Sequence, residues 1–301
     1  MKLNLPHRLR VGWPSQRQSP ATSVFADTMM ARELWEHRRR TAARYGLAGA
    51  VVGAIGGLVA FAPAAWLASA VASSTGDRVM LADARGTVWR GSAAVVLTGG
   101  PGSRDASALP GRIDWTLGMK GLGLELQATH ACCLFGSTKV QIQPGLGRLD
   151  IVLPAAPAGI GQWPAAWLSG LGTPWNTLQL GGSMRLSTPG AARIEYVQGR
   201  WRLDGQLTLD LSNVSSRVAT LDELGSYRVT MAGSQATGNA ATLNVTTTAG
   251  ALVVNGQGQW TGPTLRFRGE AVAAEGAESA LNNLLNIIGR RQGARSVISI
   301  G

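Results

Sequence analysis

Between Tyr45 and Ala72 the chain carries no charged side chain and almost no polar one. A helix needs about 20 apolar residues to cross the hydrocarbon core of a bilayer, and this run exceeds that length. Immediately before it stand His37, Arg38, Arg39, Arg40 and Arg44. After it come Ser73, Ser74 and Thr75 with the balanced pair Asp77 and Arg78. A flank rich in Lys and Arg stays on the cytoplasmic side. The pattern therefore predicts a basic cytoplasmic tail over 1–44, a transmembrane anchor over 45–72 and an exported body over 73–301. Pro63 is expected to end or bend the span, which puts Trp66 where an interfacial aromatic belongs. Ala68-Ser69-Ala70 and Ala70-Val71-Ala72 look like cleavage sites, but a cleavable signal core spans only about 7–15 residues and begins near the start of the chain.

Within the run, Gly49, Gly53 and Gly57 recur at four-residue intervals, with Gly56 alongside. On a helix they form one smooth stripe that a second helix can approach closely, although glycine is frequent in membrane helices generally. The tail itself, with Pro6, Pro14, Ser15, Ser19, Pro20, Thr22 and Ser23, offers no period that could pack and reads as disordered. Met29-Met30 precedes a short helix-like stretch, which makes it a second candidate start.

The net charge of +11 first suggests nucleic acid, but its distribution argues otherwise. Residues 1–44 carry nine Lys/Arg against three Asp/Glu, and residues 74–301 carry nineteen against fourteen. The tail is the dense part, and its charge is accounted for by topology. In the body the bases are spaced out among acids and form no basic stripe, so no nucleic-acid partner is expected.

From Val79 the pattern becomes short alternating runs broken by the 40 glycines. Strand candidates include Gly86–Gly91, Ala94–Leu97, Ile113–Leu117, Leu124–Thr129, Lys139–Gln143, Arg148–Leu153, Leu178–Leu186 and Ile194–Val197. They continue with Gly205–Leu211, Tyr227–Met231, Thr242–Thr247, Leu252–Asn255, Thr264–Arg268 and Ser296–Ile300. Spacing of this kind predicts a mostly β fold, a curved or partly closed antiparallel sheet. Period-2 alternation in Arg200-Trp201-Arg202-Leu203 and Leu207–Leu211 makes one face wet there. Pro164–Leu168 reads as a helical turn. Over 276–289, Leu281, Leu284, Leu285 and Ile288 fall at i, i+3, i+4 and i+7, an amphipathic helix ending near Arg290, Arg291 and Gly293. Its apolar stripe suits either covering the sheet or binding a partner.

Chemistry is sparse. His130 is the one body histidine, so neither a His-rich metal site nor a base–nucleophile pair is expected, and no cofactor. Cys132 and Cys133 suit a vicinal disulfide in an oxidising compartment, or two small buried side chains on opposite faces. Asp222-Glu223 reads as a solvated turn. Gly256-Gln257-Gly258-Gln259-Trp260 follows no βα unit and is no phosphate cradle.

Taken in order, several stretches are similar to a known family. They are Gly86-Thr87-Val88-Trp89-Arg90-Gly91, the Trp115 strand, Gly145-Leu146-Gly147-Arg148-Leu149 and the segment Leu281–Gly301. Together they resemble protein N of the bacterial type II secretion system, over about residues 44–301. The most specific part is Leu284-Leu285-Asn286-Ile287-Ile288-Gly289-Arg290-Arg291-Gln292-Gly293 leading into Ser296–Gly301. The resemblance implies a non-enzymatic, single-pass inner-membrane component with a periplasmic body. It implies partners among the inner-membrane platform, component C and the secretin, and carries no catalytic residues. A second reading from the residues is a periplasmic lipid or lipoprotein carrier. In it, Trp89, Trp115, Trp201 and Trp260, with the helix residues Leu281, Leu284, Leu285 and Ile288, would line an acyl-chain trough, core packing being their ordinary duty.

Overall fold

The computed structural model describes residues 42–197, 200–233, 240–261 and 264–301, in two units, 1–60 and 61–301. Arg38, Arg39, Arg40 and nearly all of the tail lie outside the described residues. The first unit contributes helix α1 (Ala42–Ala60), with a mean hydropathy of 1.4 and none of it buried. It is long and apolar enough to cross a membrane by length and composition.

The apolar run that the sequence presents as one span is two helices. Pro63 has no N–H to donate, and its extended ψ of 145° breaks the helical path before α2 (Ala64–Thr75). α2 belongs to the second unit, where Ala64 is buried and Leu67 packs with Leu81, Ala93 and Trp115. Trp66 faces outward from it, 55% exposed. Gly76 closes the helix in the left-handed conformation.

The body is one large open antiparallel sheet, with 56% of the chain in strands. Its first part comprises β1 (Val79–Gly86), β2 (Arg90–Thr98), β3 (Ala106–Ala108), β4 (Ile113–Lys120), β5 (Gly123–His130), β6 (Ser137–Gly145) and β7 (Arg148–Leu153). Then come β8 (Ala156–Pro164), a 3-10 helix (Ala165–Leu171), α3 (Trp175–Leu178), β9 (Leu180–Thr188) and β10 (Ala192–Val197). The rest is β11 (Arg200–Ser216), β12 (Gly225–Gly233), β13 (Ala241–Gly250), β14 (Leu252–Trp260), β15 (Leu265–Ala273), α4 (Glu278–Ile288), β16 (Arg290–Gln292) and β17 (Arg295–Ile300). Neighbours in sequence mostly pair as hairpins. The exceptions are β2 with β4, β7 with β10, β9 with β11, and β15 with β17. β11 is the long common strand: Arg200–Asp204 pair with β10, and Thr208–Ser216 pair with β9.

Alternation places one apolar face along the whole sheet. Trp115 opposes Ala128, Leu126 opposes Val140, Ile142 opposes Ile151, Ile151 opposes Ile194, and Ile194 opposes Leu203. The other face is wet and crossed by ion pairs such as Arg148 with Asp150 and Glu195, and Arg228 with Asp210. The main core lies at one end of the apolar face. There Leu281, Leu284 and Leu285 of α4 pack on Leu178, Val214, Leu224, Tyr227, Leu252 and Ala271. α4 ends at Ile288, sooner than the basic residues suggest, because Gly289 turns extended and Arg290–Gln292 pair with β17.

Two glycines set the closest strand approach in this end. Gly225 and Gly250 face one another across β12 and β13 with φ of +149° and +121°. A Cβ on Gly250 would run into the Gly225 backbone. Gly250→Ala should therefore lower stability by about 1–3 kcal/mol, the usual scale for such backbone strain. A lower urea midpoint at unchanged slope checks this.

Candidate functional site

Gly49, Gly53 and Gly57 lie at four-residue intervals along α1. Around Gly49, Gly53 and Gly57 a Cβ would meet nothing within 4 Å, and Gly46 and Gly56 are equally open. The helix thus presents a smooth, unfilled row of backbone. Arg44, at its start, is exposed.

On the sheet, the structure separates the four tryptophans. Trp115 is buried against Ala64 and Ala93, and its Nε1–H donates to the Val88 carbonyl at 3.0 Å. Trp89 sits half-buried in the β1–β2 turn, its carbonyl accepting from the Leu117 N–H. Trp201 stacks tilted on Tyr196 with ring centroids 4.7 Å apart. Trp260, like Leu153, Ile194, Leu207 and Met231, packs against the cluster of buried Ala192, Leu203 and Ala241. Leu281, Leu284 and Leu285 point into the core, and Ile288 packs at its margin. Between α2 and α4, Val140, Ile142, Ile151 and Ile194 stay half-exposed on the apolar face.

The β5–β6 turn carries the remaining chemistry. His130 and Cys133 are buried, Cys132 is exposed, and the two sulfurs are joined as a vicinal disulfide. The Cys132 N–H donates to His130 Nδ1 at 3.3 Å, while Nε2 is buried without a partner. The turn also grips β8: the Phe135 N–H donates to the Ile160 carbonyl, and the Gln162 N–H to the Cys133 carbonyl. Burial pushes the His130 imidazole below its ordinary 6.5, against the attraction of Asp114. The unfolded chain then binds the proton more readily, so this contribution is full above about pH 6.5 and is lost as the pH falls through the lowered folded value. Urea midpoints should fall on acidification below about pH 6.5, and His130→Phe should flatten that slope.

A polar cleft of about 860 Å³ lies among Asp105, Asn176, Gln179, Ser215, Arg217 and Asp222. In it Asn176 donates to Asp105, and Ser216 donates to the Leu178 carbonyl. Asp222 and Glu223 are exposed. The Gly256–Gly258 motif has a packing role. Gly256 and Gly269 leave room for the Phe267 ring on the apolar face, where a Cβ on Gly256 would run into it, and Gly258 lies against the Phe267 backbone.

A family model described as type II secretion system (T2SS), protein N matches residues 77–298. No curated protein and no solved structure matches the chain significantly.

Proposed function

We propose, from the premise that this chain belongs to the type II secretion system protein N family, that it scaffolds the inner-membrane side of that machine. The family places it as an accessory component of type II secretion, a component not known as an enzyme. In the finer reading, α1 spans the inner membrane with its basic flank in the cytoplasm, and the sheet stands in the periplasm. Partners are the inner-membrane platform, component C or the secretin. The observation that carries a scaffold is the open glycine row of α1, a surface shaped for another helix. Among the described residues β1 pairs in register with β2 alone, and its other edge adds a site for strand addition.

Gly53→Leu fills the middle of the row. It should cut co-purification of inner-membrane secretion components about tenfold, the equivalent of losing roughly 1–2 kcal/mol of helix packing, and leave folding of the body unchanged. The direct test is in-cell photo-crosslinking from Met80 on β1 and Gln257 on the wet face, with identification of the captured chain. Capture of component C, the secretin or a platform protein supports coupling. Crosslinks confined to lipid would reject it.

The half-exposed row Val140, Ile142, Ile151 and Ile194 favours a second reading, an acyl-chain trough. Native mass spectrometry of the detergent-extracted protein separates the two, since a carrier retains bound lipid.

A further inference from the structure

The four most exposed large apolar side chains of the second unit are Leu146 at 107%, Leu122 at 104%, Met119 at 83% and Phe61 at 78%. All four lie at the same end of the sheet. Leu122 sits in the β4–β5 turn, closed by the Lys120–Gly123 pair, and Leu146 sits in the β6–β7 turn, closed by Gly145–Arg148. Leu124 pairs with Ile142, so the two turns are adjacent. Each apex reads Gly-Leu-Gly, with Gly121 and Gly147 supplying the positive φ of a tight turn.

Phe61, where the body begins, is at this end too. The Val88 N–H donates to the Ala62 carbonyl and Pro63 bridges Thr87, which ties the entry point to the β1–β2 turn. The Leu117 N–H donates to the Trp89 carbonyl, so β4 runs on from that level through Gly118, Met119 and Lys120. At about 3.3 Å per residue, both hairpins project roughly 10 Å past the entry point.

We propose that these two hairpin tips rest in the surface of the lipid bilayer, Leu122 and Leu146 entering the boundary between headgroups and acyl chains. The proposal rests on α1 spanning a membrane, because chain continuity then starts the body at the bilayer surface. The order of side chains along each hairpin fits a lipid surface. Apolar residues are outermost, Lys120 and Arg148 come next, and their carboxylate partners Glu125, Asp150 and Glu195 lie further back. Cations behind an apolar apex can reach lipid phosphates while their stems stay in the apolar layer. Trp66, half-exposed near the start of α2, is a further aromatic at this end.

The test uses the full chain in vesicles of phosphatidylethanolamine with a minority of phosphatidylglycerol. Spin labels go on Leu122→Cys, Leu146→Cys, the α1 variant Ile55→Cys and the wet-face variant Gln257→Cys. Power saturation then compares relaxation by oxygen with relaxation by a water-soluble nickel chelate. Labels at 122 and 146 should favour oxygen as the Ile55 label does, opposite to the Gln257 label. Wet labels at 122 and 146 beside a lipid-exposed label at 55 overturn the proposal and leave the anchor standing. A wet label at 55 overturns the anchor itself, and the proposal with it. Capture of the tips by a protein in cells, with wet labels in vesicles, would likewise reject lipid as the occupant.

Discussion

Leu284→Asp should unfold the α4 end of the sheet, the largest single effect expected in this protein. Leu284 is 1% exposed, between Leu281 and Leu285 at 0%, in a cluster of hydrophobic side chains where the Tyr227 hydroxyl already donates to the Leu252 carbonyl. A carboxylate there finds no partner, so it either protonates or drives the helix off the sheet. Leu284→Ala, which leaves a cavity without a charge, should cost about 3–5 kcal/mol, and the Asp variant more. Asn283→Ala, on the exposed side of the same helix, should stay within about 0.5 kcal/mol. Denaturant unfolding of the three variants distinguishes a helix whose apolar face is core from one held ready for a partner. Equal stability of all three would show that α4 contributes nothing to the fold.

Trp115→Ala comes second. It empties a buried site under α2 and strands the Val88 carbonyl, and should cost about 3–5 kcal/mol. Trp115→Phe keeps most of the ring volume and loses the indole donor, so it should cost nearer 1 kcal/mol. The Val88 residue that accepts from Trp115 also donates to Ala62. The Ala variant should therefore speed proteolysis at residues 61–63 more than at the α4 end, which mapping of the first cleavage sites would show.

Much of this architecture was legible from the chain. Alternation marked most strands, and the stripe of Leu281, Leu284, Leu285 and Ile288 marked α4, because burial of one side imposes a period that survives in sequence. β8 escaped notice because Ala156-Pro157-Ala158-Gly159-Ile160 carries almost no alternation and is ordered by its partners. β16 escaped because Arg290 and Arg291 suit a helix terminus as well as a strand, and pairing with β17 decides. Pro63 announced a break, but whether the residues beyond it lie in lipid or on protein depends on Trp115 and Ala93, distant in sequence. The exposed tips were written plainly as Gly121-Leu122-Gly123 and Gly145-Leu146-Gly147. Only the register of β5 with β6 makes the two motifs neighbours.

The hairpin succession also fixes an order of assembly. Most strands pair with the one made just before, so loop closure costs little and the sheet can grow from its amino-terminal edge as the chain emerges. The α4 core breaks that rule. Val214, Tyr227 and Leu252 stay without their cover until Leu281–Leu285 arrive and β17 docks on β15. Until then the growing sheet exposes an apolar face and an open edge together, the combination most prone to wrong pairing. The α4–β17 segment therefore acts as the latch of folding, and the interval before it closes is when the nascent protein most needs a chaperone.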